Sequence, residues 1–351
     1  MTNIFQPDVF SNSMPAWREG ESLLSNTISD ILACLPGRYH LMETSIKSSA
    51  SLEVNSTNIQ FISNDQKYLL KKWNCYADCQ HAEGILKLME SLKGTNIPIS
   101  APLKFSNGKY IHYQSQSAWS IFPFVEGNYF SGKGNELNLA SEYTTRLMVE
   151  LGKLDMKQYP IKHGRKYLTY KDLVILNNME NIRYDWHNIF GNNIAAILED
   201  EWSNIIEEWD RLYGYELYAG EQQISHTDLH PYNILTMNRK IVALLDFDSC
   251  RITPVGYSLA YAAFKQCRQT MVVLGSSANA AEVGGMYIEK INQTIPYAKN
   301  WTDNFNDLVM SEIIMRLFAV FQQNVDDNCS KWNNVIPSLL LHLRESRLLF
   351  V

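Results

Sequence analysis

His226-Thr-Asp228-Leu-His-Pro-Tyr-Asn233-Ile-Leu, followed by the apolar run Ile241-Val-Ala-Leu-Leu and then Asp246-Phe-Asp248, is the stretch on which the rest of the chain turns. Asp228 is a carboxylate able to orient a hydroxyl and accept its proton. Asn233 supplies an amide oxygen and Asp246 a second carboxylate, a pair of oxygen donors suited to a Mg²⁺ that bridges nucleotide phosphates. The residues between them read as a hairpin: Ile234-Leu-Thr-Met is one short strand, Asn238-Arg-Lys the turn, and Ile241 to Leu245 the return strand. Folding back in this way lets Asn233 and Asp246 face one ion although they lie far apart in sequence. A lone His-x-Asp would carry little. The order His, Asp, Asn, hairpin, Asp carries the chemistry of phosphoryl transfer from a nucleotide.

These residues resemble the aminoglycoside phosphotransferase and choline kinase superfamily, the small-molecule relatives of protein kinases. HTDLHPYNIL is similar to that family's catalytic loop and LLDFDSC to its metal-binding segment. The resemblance implies that Asp228 is the catalytic base, that His226 organises the loop, and that Asn233 and Asp246 are metal ligands. It further implies Mg²⁺, ATP or GTP as co-substrate, and as acceptor a hydroxyl of a small molecule: a sugar, amino sugar, amino alcohol or aminoglycoside. The implied architecture is α+β, a two-lobed protein-kinase-like fold with a small antiparallel-sheet N-lobe and a mainly helical C-lobe. Residues 1–37 are then an arm and helix, 38–125 the nucleotide-binding lobe, and 126–351 the catalytic and substrate-binding lobe.

Composition fits an enzyme of this size. The 351 residues suffice for two lobes meeting at a cleft, and 46% hydrophobic with 19% charged residues is ordinary for a globular chain. A net charge of −6 argues against nucleic acid as the main partner. Six scattered cysteines favour reduced thiols and a cytoplasmic location over a disulfide framework. Cys75-x-x-x-Cys79-x-His81 invites zinc, but no second Cys or His pair follows at a finger-like spacing. The amino terminus lacks a signal peptide's basic start and apolar core, and no apolar run is long enough to span a membrane. Oligomeric state is not legible.

Upstream, Gly20 to Leu35 has helical spacing, and short alternating segments at Tyr39–Ile46, Asn58–Ile62 and Tyr68–Lys72 follow, with Asn64-Asp65 a turn. Asp78 to Leu92 reads as a helix, and Tyr110–Gln114 and Trp119–Val125 as two more strands. Lys71 matches the lysine that the family sets against the α- and β-phosphates, with Glu83 on the next helix as its carboxylate partner. Lys72, on the opposite face of the strand, is the competitor. Phe122-Pro123-Phe124 resembles the hinge that meets adenine. Pro123 has no amide hydrogen, so donation falls to Phe124 or a neighbour. Helical patterns continue at Leu137–Met156, Tyr170–Asn181, Ile194–Tyr213, Tyr257–Leu274, Ala278–Thr294, Phe305–Asp326 and Pro337–Phe350.

Two features depart from the family. The segment Lys47–Ser56 between the first strands contains no glycine, the residue that lets amides approach phosphate closely. Where relatives carry Asp-Leu-Ala, this chain has Ser258-Leu-Ala, so either another acid such as Asp248 supports the catalytic loop or the loop is less rigid. These departures leave a nucleotide-binding pseudokinase, a regulatory or partner-binding module, as the alternative to an enzyme. Asp303, Asp307, Asp326 and Asp327 offer an acidic rim for an amino sugar, and Trp186, Trp301 and Trp332 a cage for a quaternary ammonium.

Overall fold

The computed structural model describes residues 5, 17–19, 23–37, 39, 46–49, 56–73, 79–114, 117–164, 170–213, 218–327 and 332–351. Six strands form an antiparallel sheet: β1 (Trp17–Glu19), β2 (Lys47–Ser49), β3 (Ser56–Ser63), β4 (Gln66–Trp73), β5 (His112–Gln114) and β6 (Ser117–Pro123), in spatial order β1-β2-β3-β4-β6-β5. The β3–β4 hairpin closes on Asn64 and Asp65, both at positive φ (48° and 60°). Asn and Asp tolerate this left-handed pair, which matches the twist of the strands. Most of the strand expected over Tyr39–Ile46, and the glycine-free part of the first loop, lie outside the described residues.

Helix α1 (Leu23–Ala33) covers one face of this sheet. Its Ile28, Ile31 and Leu32 pack with Ile59, Phe61, Leu70, Trp119 and Ile121 in a small separate core. Helix α2 (Cys79–Leu92) serves the other face with Ala82, Ile85, Leu86 and Met89, in the large core that also holds Trp73, Ala118 and Phe122. Side-chain alternation along β4 therefore sends Leu70 to the first core and Lys71 to the opposite face.

Beyond Pro123 the chain crosses β7 (Asn128–Tyr129) into helices α3 (Glu136–Gly152), α4 (Tyr170–Asn181), α5 (Trp186–Phe190) and α6 (Asn192–Leu212). Strands β8 (Gln222–His226), β9 (Ile234–Met237), β10 (Lys240–Leu244) and β11 (Cys250–Pro254) then frame the catalytic segment. Helices α7 (Val255–Leu274), α8 (Ala280–Thr294), α9 (Lys299–Thr302), α10 (Phe305–Asp327) and α11 (Ile336–Leu349) complete the chain. The α+β character is as expected, a small antiparallel sheet followed by a mainly helical part. The pair β8–β11, with His226 opposite Cys250, was not expected from sequence. Neither was β7, which adds to the edge of the β9–β10 hairpin.

The hinge segment meets the catalytic hairpin closely. A Cβ on Gly127 would lie 3.1 Å from both Leu235 Cβ and Val242 Cγ2, so glycine permits the approach. Val242 lies where the β9–β10 register shifts, between Ile241 and Ala243. Leu244 N–H donates to the Pro98 carbonyl at 2.8 Å, which ties the end of β10 to the segment after α2. The segment Asp246-Phe-Asp248 thus starts from a fixed point.

Candidate active site

Strand β8 ends at His226, and the chain then turns through Asp228 and a short helical turn over Pro231–Asn233. His226 is fully buried. Its Nε2 lies 2.8 Å from the Leu245 carbonyl, so that nitrogen carries the proton, and Nδ1 accepts the Asp228 N–H at 3.3 Å. Burial lowers the imidazole pKa, keeping the ring neutral. One side chain therefore joins the start of the catalytic loop to the end of the hairpin. Thr227 Oγ1 adds a bond to the Ser249 carbonyl at 2.7 Å.

Asp228 is partly open to solvent, with 29% of its side chain exposed. Arg316 Nη1 on α10 donates to Oδ1 at 3.2 Å, and His230 Nε2 stands 3.6 Å from Oδ2. Burial works against ionisation of this carboxyl, but His230, Arg316, His226 and Lys265 together hold its pKa below the ordinary value. The group is a carboxylate throughout the neutral range. A second bond from Arg316, Nη2 to the Thr227 carbonyl at 2.8 Å, fixes the guanidinium to the loop itself.

Asn233 Nδ2 donates to the Asp228 carbonyl at 2.8 Å, which commits the amide nitrogen and leaves Oδ1 as the available donor atom. Backbone pairing of Leu245 N–H with the Asn233 carbonyl at 2.9 Å brings Asn233 and Asp246 to one end of the hairpin. Asp246 follows in the left-handed region (φ 59°, ψ 50°). That conformation costs a non-glycine residue about 1–2 kcal/mol, and here it directs the carboxylate toward β4. Lys71 Nζ lies 3.5 Å from Asp246 Oδ1 and 2.5 Å from Asp248 Oδ2. Lys72, by contrast, lies over the Trp119 ring on the far face.

The expected partnership of Lys71 with Glu83 is not found. Glu83 is exposed on α2 and accepts from the Tyr113 hydroxyl at 3.5 Å. The reason is rotational. The face of α2 that meets the metal-binding segment carries His81, 3.0 Å from Arg251 Nη1 and 3.4 Å from the Asp248 carbonyl. His81 is thus occupied there; Cys75, the first residue of the possible zinc motif, lies outside the described residues. Among the described residues no cluster of three or more His, Cys, Asp or Glu side chains is arranged to hold a metal, and no helix is long and apolar enough to cross a membrane.

The hinge segment is tied into the sheet. Phe124 N–H donates to the Lys67 carbonyl at 3.0 Å. Phe122 is buried in the large core. Asp248 does not brace the catalytic loop, since its carboxylate is held by Lys71. Ser258 is buried, with Oγ lacking any hydrogen-bond partner. Gln266 on α7 bonds the Leu229 carbonyl at 3.0 Å and Thr144 Oγ1 at 3.1 Å, and accepts from Tyr287 Oη at 2.9 Å. Gln266 and Arg316 are the braces that sequence reasoning missed.

Among the described residues, the tryptophans named for a cage are buried or packed on the core, and one acid of the expected rim is already paired. Asp307 is paired with Arg211 at 2.7 Å, and Asp303 is exposed on the turn after α9. The side chains of Asp326 and Asp327 lie outside the described residues. Trp186 and Trp301 are interior, and Trp332 packs against the same core.

With this geometry in view, comparison with known proteins is specific at the level of family. The model of the APH phosphotransferase enzyme family matches residues 50–282, a span running from β3 to the start of α8. This chain belongs to that family. It is therefore a phosphotransferase, as the sequence resemblance implied. The fold is similar to a spectinomycin phosphotransferase, APH(9)-Ia, solved with ADP and spectinomycin, at TM-score 0.60 and 13% identity over 93% of this chain and 97% of that one. It is also similar to the amicoumacin kinase hAmiN, solved with AMP-PNP, Ca²⁺ and its ligand (TM-score 0.59, 12% identity, 89% and 93% covered). A microcompartment-associated aminopropanol kinase gives TM-score 0.56 at 12% identity, with 92% and 95% covered. Comparison with curated protein sequences finds no match.

Proposed function

We propose that this phosphotransferase moves the γ-phosphoryl group of ATP to a hydroxyl of a small molecule, with Asp228 as general base. The observation that carries the reading is the ionised, partly exposed Asp228 carboxylate, held by Arg316 and His230 on a loop that Asn233 braces from beneath. In the transfer, Asp228 takes the acceptor's hydroxyl proton while the new O–P bond forms. The bond from the γ-phosphorus to the bridging oxygen breaks, and ADP leaves with that electron pair.

Asn233 Oδ1 and the Asp246 carboxylate are oxygen donors of the kind a hard cation takes, and they would hold Mg²⁺, which neutralises phosphate charge when bound. Lys71 would position the α- and β-phosphates from its place between Asp246 and Asp248. His226 keeps the loop and the hairpin in register. Glu83 has no part in this reading. The lobes divide near residue 125, with the hinge after Phe122 and Phe124 facing the nucleotide. Relatives that act on spectinomycin, amicoumacin and aminopropanol support an acceptor that is a small hydroxyl compound.

The test is thermal stabilisation by ATP and GTP with and without Mg²⁺, followed by ADP release over a panel of hydroxyl acceptors. A Mg²⁺-dependent shift with acceptor-stimulated turnover is expected. A shift without turnover on any acceptor would favour a nucleotide-binding regulatory module instead.

A further inference from the structure

Helices α7 and α10 bring two basic side chains and one acidic side chain to Asp228. Arg316 stacks on the Tyr261 ring with Cζ 3.5 Å from the centroid. Lys265, one turn along α7 on the same face as Tyr261, adds positive potential at Asp228 and His230. Glu312, one turn earlier on α10, lies 3.8 Å from Arg316 Nε.

A guanidinium offers five N–H donors. Nη1 bonds Asp228, Nη2 bonds Thr227, and Nε is enclosed beside Glu312, which leaves the second N–H of each terminal nitrogen for a ligand. The side chain remains 31% exposed. A planar fork pinned by a ring stack and a backbone bond, with N–H groups to spare, is suited to a carboxylate or phosphate. Of the acids on α10, Glu312 is already paired with Arg316, and Asp307, nine residues away and about 13 Å along the axis, is paired with Arg211. Arg316 also lies beyond the residues matched by the family model.

We propose that Arg316 is the specificity-determining residue of the acceptor site, and that the acceptor is a hydroxy compound carrying a carboxylate or phosphate close to its reacting hydroxyl. The inference rests on the kinase reading above. The anion engages the free N–H groups of Arg316 while the hydroxyl reaches Asp228, so one side chain orients both the base and the substrate. A polycationic acceptor would instead meet Arg316 and Lys265 with like charge.

The test uses acceptor pairs that differ by one carboxylate: serine against ethanolamine, threonine against 1-amino-2-propanol, and glycerate against ethylene glycol, with phosphorylated sugars against their parent sugars. Binding is measured by calorimetry to the full-length protein loaded with Mg²⁺ and AMP-PNP, and turnover by ADP release with ATP. At least one anionic member should bind and react about 10- to 100-fold better than its neutral or cationic partner, the range of a charge-assisted bond. R316Q should lower turnover on every acceptor, because Arg316 also holds Asp228, and should in addition bring the kcat/KM ratio within each acceptor pair close to one, while R316K should restore part of that ratio. Preference for the uncharged or cationic members, binding of no anionic member, or a preference that survives R316Q overturns the inference. Nucleotide binding by the wild type, measured separately, tells such a failure from a failure of the kinase reading itself.

Discussion

At the scale of residues, function concentrates in a few side chains whose protonation the fold sets. Replacing Asp228 by Asn keeps the shape of the loop but removes the proton acceptor. Turnover should fall about 10²- to 10⁴-fold, while the thermal shift with Mg²⁺ and nucleotide persists. His226 makes a different prediction. Its folded-state pKa is lowered from 6.5 by burial, so the unfolded chain binds a proton that the folded one refuses. The stability it contributes is complete above pH 6.5 and is lost as pH falls below that value, by up to about 1.4 kcal/mol per unit. Urea midpoints at pH 8, 6.5 and 5 should decline in that order, and H226N should flatten the decline. Asp228, Asn233 and Asp246 were legible as a set because their spacing is local and the hairpin between them is short. Arg316 was not, because its partner lies in a loop far away in sequence. The only signal was a lone arginine inside the apolar run Ile313-Ile-Met-Arg-Leu-Phe, where a charge is rarely left unpaired.

At the scale of elements, helices followed from their periodicity and the β9–β10 hairpin from its turn chemistry. Asn238 and Arg239 both take positive φ, as a two-residue hairpin turn requires. The pair β8–β11 escaped sequence reading because each strand is short and its partner is supplied from across the catalytic loop. The rotation of α2 escaped it too. Periodicity locates a buried stripe, but neighbouring positions such as His81 and Glu83 both lie off that stripe, and only tertiary packing decides which one meets the site. Two adjacent glycines test the packing of α8 on α11. A Cβ at Gly284 would fall 1.8 Å from the Leu349 carbonyl, whereas one at Gly285 would meet nothing within 4 Å. Gly284→Ala should cost about 1–3 kcal/mol by forcing the helices apart, and Gly285→Ala should add about 0.5–1 kcal/mol, both read from chemical denaturation. Gln266→Leu would leave the Leu229 carbonyl and the Tyr287 hydroxyl without their bonds in the interior. A loss of about 1–3 kcal/mol is expected from the same measurement.

At the scale of the whole molecule, the sheet carries a core on each face, one closed by α1 and one continuous with the helical part. Lys71 projects from that sheet to Asp246-Phe-Asp248, so the ion pairs with Asp246 and Asp248 join residues of two distant parts of the chain. Lys71→Met should weaken nucleotide binding and leave the Asp248 carboxylate without its partner. The family match ends at residue 282, before α10 contributes Arg316. The measurement that tests the central claim most directly follows label from [γ-³²P]ATP into a panel of small hydroxyl compounds, with wild type and D228N side by side. Mg²⁺-dependent transfer to an acceptor hydroxyl by the wild type, lost in a D228N protein that still binds nucleotide, is the predicted result. Equal transfer by D228N, or nucleotide binding with no transfer to any hydroxyl compound, would contradict it.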